Sequence, residues 1–400
     1  MRILLVSPFL PYPPVAGGHA QIWGWLRRLA QKHQVAFVGC YEREAETAGL
    51  AEIGRHCEPV RARLRKPTPH AYSSFAQLPR WVTEHYSQEL AADVAEVSRH
   101  FRPEVVQFLS SNMAQYRRWT RPAACVVTAL ELTSLAYRRR IESVGGSERL
   151  RARLDWLRML RYETSVFRKA DHVIAVSERE ARVINAMAPR TQTTAIPPGV
   201  DPEQLAPRPR RPAPGRVLFL GHMEHFPNLD GLLFLYQEIW PRVVKANPAA
   251  RLVVVGTGTR EELARVAPET LGRMERDASV EIAGFVPDLR SAMDEAAALA
   301  APLRLGSGVR NKVVESMAAG LPVVTTSRGA EGLNVAHERE VLIADDAKSF
   351  ADQLARALSD AGLQARLSAA GRELAAREHD NDRLAERLEE ALMRAAGARR

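Results

Sequence analysis

Two doubly wound α/β domains are what this 400-residue sequence predicts, on three observations. Short β-branched runs alternate with helix-length segments through most of the chain. Such alternation means parallel strands covered by helices on both faces. A proline-rich stretch, Ile196–Arg216 (IPPGVDPEQLAPRPRRPAPGR), interrupts the pattern midway. Proline stiffens it and forbids regular structure. The length is that of two ordinary domains, each large enough to bury its own core.

Arg2–Ser7 (RILLVS) reads as a strand buried on both faces, followed by a proline-rich loop. Helix Ala20–Gln31 and strand Val35–Gly39 come next, then strands Val105–Phe108, Ala124–Thr128 and Val173–Val176. Beyond the interruption the expected strands are Val217–Leu220, Leu252–Val255, Val280–Ala283, Leu299–Ala301, Pro322–Thr325 and Val341–Ile343. Apolar residues at helical spacing place helices at Asn228–Val244 and Phe350–Leu358. The expected boundaries are a first domain at 1–200, a linker at 201–215 and a second domain at 216–378. Residues 379–400 form a terminal helix free to pack back toward the first domain.

Composition narrows the function classes. With 46% hydrophobic and 26% charged residues, the chain is neither disordered, collagenous nor coiled-coil. Cys40, Cys57 and Cys125 share no close spacing, which excludes a disulfide framework or zinc ribbon and suits a reducing cytosol. No apolar run approaches the roughly 18–20 residues of a membrane span. The N-terminal run is too short and too proline-rich for a signal peptide, so a cytoplasmic protein is expected. Residues 1–200 hold 29 Lys and Arg against 18 Asp and Glu, and residues 201–400 hold 27 against 29. All the excess positive charge is therefore in the first half. It fits an anionic partner there, or arginine solvated on helix faces. Segment Arg149–Lys169 carries seven bases and two acids, Asp155 and Glu163, with Leu150, Leu154, Leu157 and Met159–Leu160 as an apolar stripe at helical spacing. That is the composition of an interfacial helix, and equally of a core-packing helix with a solvated arginine face.

Open parallel sheets bind ligands beyond the carboxyl ends of their strands, so loops after strands should carry the chemistry. Pro302–Thr326 (PLRLGSGVRNKVVESMAAGLPVVTT) is the strongest such segment. Gly306, Ser307 and Gly308 lead into a helix expected from about Val309 to Ala319, stopped by Gly320. Glycines let backbone N–H groups approach an anion, and the helix start adds partial positive charge. Gly308, Lys312 and Glu315 follow i, i+4, i+7 spacing, so they share one helix face over roughly 10 Å. That is the reach from a diphosphate to the ribose of a nucleotide. Lys312 can meet phosphate, and Glu315 can accept two ribose hydroxyls. Arg310 lies about 200° round the helix from Lys312, so it reaches phosphate only if the helix starts late. An ordinary turn with a surface Lys–Glu pair is the plainer reading of the same residues.

GSGVRNKVVESMAAGLPVVTT resembles the nucleotide-sugar motif of retaining glycosyltransferases of family 4, which have the GT-B fold. The resemblance implies two Rossmann-like domains facing across a cleft, with Glu315 on the donor ribose and the glycine loop over diphosphate and sugar. It covers most of the chain. RILLVSPFLPYPPVAGGHAQ is similar to the family's first strand and Gly-Gly loop, here Gly17–Gly18, which implies contact with diphosphate and acceptor. VLFLGHMEHFPNLDGLLFL resembles the opening of the donor domain, with Gly221 and His225 in its loop. EIAGFVPDLRSAM resembles the segment whose backbone reads the base, here Phe285 and Val286. PYPP and FPN together resemble bacterial exopolysaccharide sugar transferases. Three places depart from the family pattern. Ser307 stands where an acid usually faces the sugar. Leu130 stands where many members have a histidine, with Glu131 beside it as the candidate acceptor or sugar contact, or as an acid at a helix start. His225 replaces a basic residue and is either a phosphate contact or a solvated loop histidine.

No cofactor is expected, the nucleoside-diphosphate sugar being the donor substrate. No histidine or Asp-x-Asp pair has metal-ligand spacing after a strand, and Asp380-Asn381-Asp382 reads as a solvated helix start, so no metal is expected. Gly256-x-Gly258 lacks a third glycine and reads as a tight turn. The expected partners are a nucleoside-diphosphate sugar, a sugar or lipid-linked acceptor and an anionic membrane surface, with peripheral attachment at the inner face. No nucleic acid is expected. An epimerase of the same fold, or a non-catalytic sugar-nucleotide binder, remains the alternative.

Overall fold

The computed structural model describes every residue except 15–16, 66–77, 207, 209, 307 and 399–400. The chain forms two compact units: Met1–Pro198 with Asp382–Arg400, and Gly199–Asn381.

The first unit is a seven-stranded parallel sheet of β1 (Arg2–Ser7), β2 (Gln34–Tyr41), β3 (Val60–Leu64), β4 (Val105–Phe108), β5 (Ala124–Ala129), β6 (His172–Ala175) and β7 (Gln192–Ala195). The strand order is β3-β2-β1-β4-β5-β6-β7. Strand β1 runs parallel to β2 with Arg2 opposite Gln34 and Ser7 opposite Gly39. The central strands are buried on both faces, which is why they read as unbroken apolar runs. The two strands the sequence did not predict are the two edges. VRARL and QTTA each have one open side, so neither needs a continuous apolar run.

Four helices of this unit matter below: α1 (Gly17–Lys32), α2 (Thr133–Ser143), α3 (Gly146–Lys169) and α4 (Glu178–Met187). Helix α1 begins three residues before its predicted start, so Gly17 and Gly18 are its first residues and not a separate loop. Helix α3 splits the predicted apolar stripe. It buries Ala152, Met159, Glu163 and Phe167, and leaves Leu150, Leu154 and Leu157 exposed.

The second unit is a six-stranded parallel sheet of β8 (Arg216–Leu220), β9 (Arg251–Val255), β10 (Val280–Gly284), β11 (Ala298–Ala301), β12 (Val323–Thr325) and β13 (Leu342–Ile343). Its order is β10-β9-β8-β11-β12-β13. The order reverses between β8 and β11, and such a switch leaves a crevice beyond the strand ends. Helix α5 (Phe226–Phe234) continues through a π-turn at Leu235–Ile239 into a last helical stretch at Trp240–Ala246. Helix α6 spans Asn311–Ala319. Residues 199–215, expected in the main as a linker, are counted with this unit. A short helix forms at Pro202–Leu205, and Arg210 donates to the carbonyl oxygens of Gly320 (2.7 Å) and Ala296.

The last helix, α7 (Asn381–Gly397), belongs to the first unit apart from its opening residue. Its Leu384, Leu388, Ala391 and Leu392 complete a core with Ile3, Leu5, Ile22, Trp25 and Leu26. Arg28 pairs with Asp382 at 2.6 Å and Lys32 with Glu389 at 2.9 Å. The start of α7 is tied down, not solvated. Asn381 is buried, donates to Asp201 Oδ1 at 2.8 Å and takes the carbonyl of Val200 through its backbone N–H. Among the described residues no helix is long and apolar enough to cross a membrane.

Leu388 is wholly buried. Replacing it with Ala removes packing that neighbours can only partly refill, and should destabilise the first unit by about 2–5 kcal/mol. Urea denaturation followed by fluorescence of Trp23 and Trp25 measures this.

Candidate functional site

In the second unit the loops after β8 and β11 meet at the switch point. Helix α6 starts at Asn311, two residues later than predicted, because Arg310 has extended backbone (φ −94°, ψ 98°). Gly308 therefore lies in the loop at φ 78° and is not on the helix face that carries Lys312 and Glu315. Gly306 has φ 92°, and a Cβ there would sit 2.8 Å from Arg310 Nη2 and 3.2 Å from Pro227. Arg310 is buried and donates to the Leu305 carbonyl at 3.1 Å. It folds back under the glycine loop. Ser307 lies outside the described residues.

Lys312 is half-buried. Its ammonium donates to the carbonyl of Leu220, the last residue of β8, and to Asn228 Oδ1 at 2.8 Å. It also lies 5.3 Å from the centre of the Phe219 ring. Burial pulls its pKa down to about 7, the charge on Arg310 adds to this, and Glu315 opposes it. Burial pushes the Glu315 carboxyl up, against the pull of Lys312. Two charges thus face each other on the first turns of α6 in a poorly hydrated place.

The ends of β8, β9 and β10 are drawn together by glycines. Gly221 N–H donates to Val255 O at 3.0 Å, and Gly256 N–H to Gly284 O at 2.8 Å. A Cβ on Gly221 would lie 2.9 Å from Asn228 Cβ, and one on Gly256 (φ 149°) would lie 1.6 Å from the Gly221 carbonyl oxygen. Gly258, at φ 72°, precedes helix Thr259–Val266 as a tight turn. Phe285 follows Gly284 and is exposed, while Val286 packs on the core that includes Val255 and Val313. His225 stands at the start of α5 and is exposed. Protein atoms crowding its ring, then Arg310, Lys312 and His222, pull its pKa down to about 4, so it is neutral at pH 7.

In the first unit the loops after β1 and β5 meet. A Cβ on Gly18 would touch Phe9 at 3.4 Å and Leu130 at 4.0 Å. The Phe9 ring stacks on His19 at 4.2 Å. Gly17, Gly18 and Glu131 are therefore neighbours in the fold, with Glu131 exposed just before α2. Behind Glu131 stand two buried acids that the sequence reading gave no role. Glu163 of α3 accepts from Thr133 N (3.1 Å), Ser134 N (3.0 Å) and Ser111 Oγ (3.1 Å). Burial raises its pKa to about 7 in spite of these donors. Glu180 of α4 is buried as well. Burial, then the charges of Glu131 and Glu163, push its pKa up to about 8. The one signal for Glu163 was its place, as one of two acids in a basic segment, on the same face as the buried Met159 and Phe167. Among the described residues no three His, Cys, Asp or Glu side chains could hold a metal ion.

Residues 214–360 match the family model of group 1 glycosyl transferases, and residues 15–204 match that of glycosyltransferase family 4. An uncharacterised 44.6 kDa protein of the cps region of Klebsiella pneumoniae is 29% identical over 141 residues, 34% of this chain and 36% of that protein. That match spans about a third of the relative's length. Anabaena HepE in complex with UDP superposes with a TM-score of 0.71 at 15% identity, over 98% of this chain and 100% of its own. Sucrose-phosphate synthase from Thermosynechococcus elongatus does so with a TM-score of 0.73 at 18% identity, over the full length of both. At these identities the likeness is one of fold.

A methyl group at position 256 meets backbone and cannot be absorbed by a rotamer change. Gly256→Ala should cost about 3 kcal/mol or more, adding overpacking to backbone strain. Chemical denaturation of the second unit reads it, with Gly258→Ala as the milder comparison.

Proposed function

The chain belongs to the group 1 and family 4 glycosyltransferases of GT-B architecture, and on that premise we propose that it moves a sugar from a nucleoside-diphosphate sugar to an acceptor hydroxyl with retention of anomeric configuration. The observation that carries this reading is the Lys312–Glu315 pair on the first turns of α6, under a glycine loop at the β8/β11 switch. An arriving diphosphate is a stronger acceptor for Lys312 than the Leu220 carbonyl and Asn228. The loop at Gly306 and Gly308, together with the start of α6, offers backbone N–H groups to the same phosphates. Glu315, one turn along, takes the ribose hydroxyls. Gly221 and His225 line the phosphate side, Arg310 braces the loop, and the backbone at Phe285 and Val286 takes the base. That Anabaena HepE is found with UDP and with UDP-glucose makes a uridine nucleotide the first donor to test.

Retention needs no protein nucleophile. The bond from the sugar carbon to the departing phosphate oxygen breaks, and the acceptor oxygen bonds to that carbon on the same face. The acceptor's proton passes to the departing oxygen. The protein's part is position and charge, with Lys312 facing the negative charge that grows on the diphosphate and no metal required. Gly17, Gly18 and Glu131 form the acceptor side in the first unit. The acceptor is a sugar or lipid-linked sugar, in polysaccharide or glycolipid assembly. The second reading is a sugar-nucleotide binder without transfer, or an epimerase, favoured by the apolar Leu130 against Gly18. Donor conversion without any acceptor would decide for the epimerase.

Glu315→Gln keeps shape and removes charge. It should weaken donor binding by about 1.5–3 kcal/mol, the range for a charged hydrogen bond. Calorimetry with UDP and UDP-sugars reads it, and unchanged affinity would displace the ribose from this helix.

Lys312 sets the pH dependence. Its pKa is about 7 in the free protein, and the negative charge of a bound diphosphate would raise it. Below pH 7 it is already charged, so affinity is flat. Above pH 7 binding must take up a proton, so affinity should fall with rising pH, by up to about tenfold per unit. Lys312→Ala should abolish that slope and lower kcat more than affinity. The same titration in excess chelator should be unchanged.

A further inference from the structure

Helix α3 carries a second surface. Leu150, Leu154 and Leu157 are 61%, 47% and 46% exposed. At about 100° per residue they fall within roughly 60° of arc. Arg153 and Arg161 lie in or beside that arc, Arg158 borders it, and Arg149 and Arg151 stand at about 100° to either side. The acids Glu148, Asp155 and Glu163 all lie on the far side of the helix, more than about 90° from Leu150. Among the described residues no ion pair involves Arg149, Arg151, Arg153 or Arg161, although each is exposed. The opposite face is already committed: Ala152, Met159, Glu163 and Phe167 are buried. Met159 and Phe167 are wholly buried against the unit, whereas the three leucines keep about half of their surface in solvent.

We propose that the outer face of α3 docks on an anionic lipid bilayer. Leucines on the midline enter the acyl boundary, and arginines to either side carry their stems along it with guanidinium groups at the phosphates. A polyanion without an apolar layer, such as nucleic acid, would leave the three leucines in water. An uncharged apolar partner would leave the arginines unmatched. An anionic bilayer matches both. The docking stands without the transfer reading; its use in presenting a lipid-linked acceptor rests on that reading. The link is Glu163. It sits on the same helix as the leucines, on the inward face, and holds the N–H groups of Thr133 and Ser134 just after Glu131. A bilayer against α3 therefore places the loop after β5 about one helix diameter, roughly 10–12 Å, from the lipid phosphates.

The test is co-sedimentation of the full chain with vesicles of phosphatidylcholine alone and of phosphatidylcholine mixed with phosphatidylglycerol, at low and high salt. Binding should require phosphatidylglycerol and weaken as salt rises. The pair Arg153→Glu and Arg161→Glu should reduce partitioning by about tenfold or more. Leu150→Ser with Leu154→Ser and Leu157→Ser should remove the part that survives high salt. All these positions are exposed, so circular dichroism and UDP calorimetry should be unchanged, which separates a failure of docking from a failure of the donor reading. Arg99→Glu, an exposed arginine on another helix, is the control and should have little effect. The proposal is overturned if wild type ignores anionic vesicles at low salt, if the leucine variants bind like wild type at high salt, or if Arg99→Glu costs as much as the α3 pair.

Discussion

The ammonium of Lys312 is the interaction on which the second unit's site depends. It joins the last carbonyl of β8 to Asn228 of α5, and it stands on α6 beside Glu315. Three elements that converge at the β8/β11 switch are thus tied by one charge. Burial makes that charge costly, and no carboxylate comes within salt-bridge distance of it among the described residues. A group held by neutral acceptors, at the edge of losing its proton, gains from an incoming anion. Arg310 cannot take this part, because its guanidinium is folded beneath the glycine loop.

The glycines around this point act by what they lack. Gly256 lets the Gly221 carbonyl approach to a distance no side chain permits, and Gly221 leaves room for Asn228, the partner of Lys312. Gly306 leaves room for Arg310 and Pro227. The first unit solves a similar problem with acids. Buried Glu163 accepts from the N–H groups of Thr133 and Ser134, and so fixes the backbone next to Glu131. Burial, with the charges of Glu131 and Glu163 added, makes the neighbouring Glu180 hard to ionise.

Much of this was legible in the sequence, and the reasons are physical. Strands buried on both faces announce themselves as apolar runs, so β1, β4, β5, β8, β9 and β11 were found almost to the residue. Edge strands β3 and β7 carry polar side chains on their open side and gave no such signal. The glycine loop was visible from its composition after a strand, and the Lys312–Glu315 pair because helix periodicity puts those two on one face. The start of α6 was missed by two residues, since Val309 and Arg310 are acceptable helix formers and only tertiary contacts hold Arg310 extended. Glu163 was seen as one of two acids in a basic segment, but its burial depends on α2 and on Ser111, far away in sequence. The leucines of α3 were left open between an interfacial and a core-packing stripe, because periodicity shows a face but not what lies against it.

The first unit closes on residues from both ends of the chain, whereas the second is one continuous stretch, Gly199–Asn381. On the ribosome this inverts the usual order of maturation, in which N-terminal domains fold first. Strands β1 to β7 are synthesised early, yet the hydrophobic surface of Ile3, Leu5, Ile22 and Leu26 stays uncovered until Leu384, Leu388 and Leu392 have left the exit tunnel. The second unit has all its own residues before then. The nascent first unit thus keeps an open apolar face while the whole second unit is made, a natural client for chaperones, and its core closes only once helix α7 has emerged.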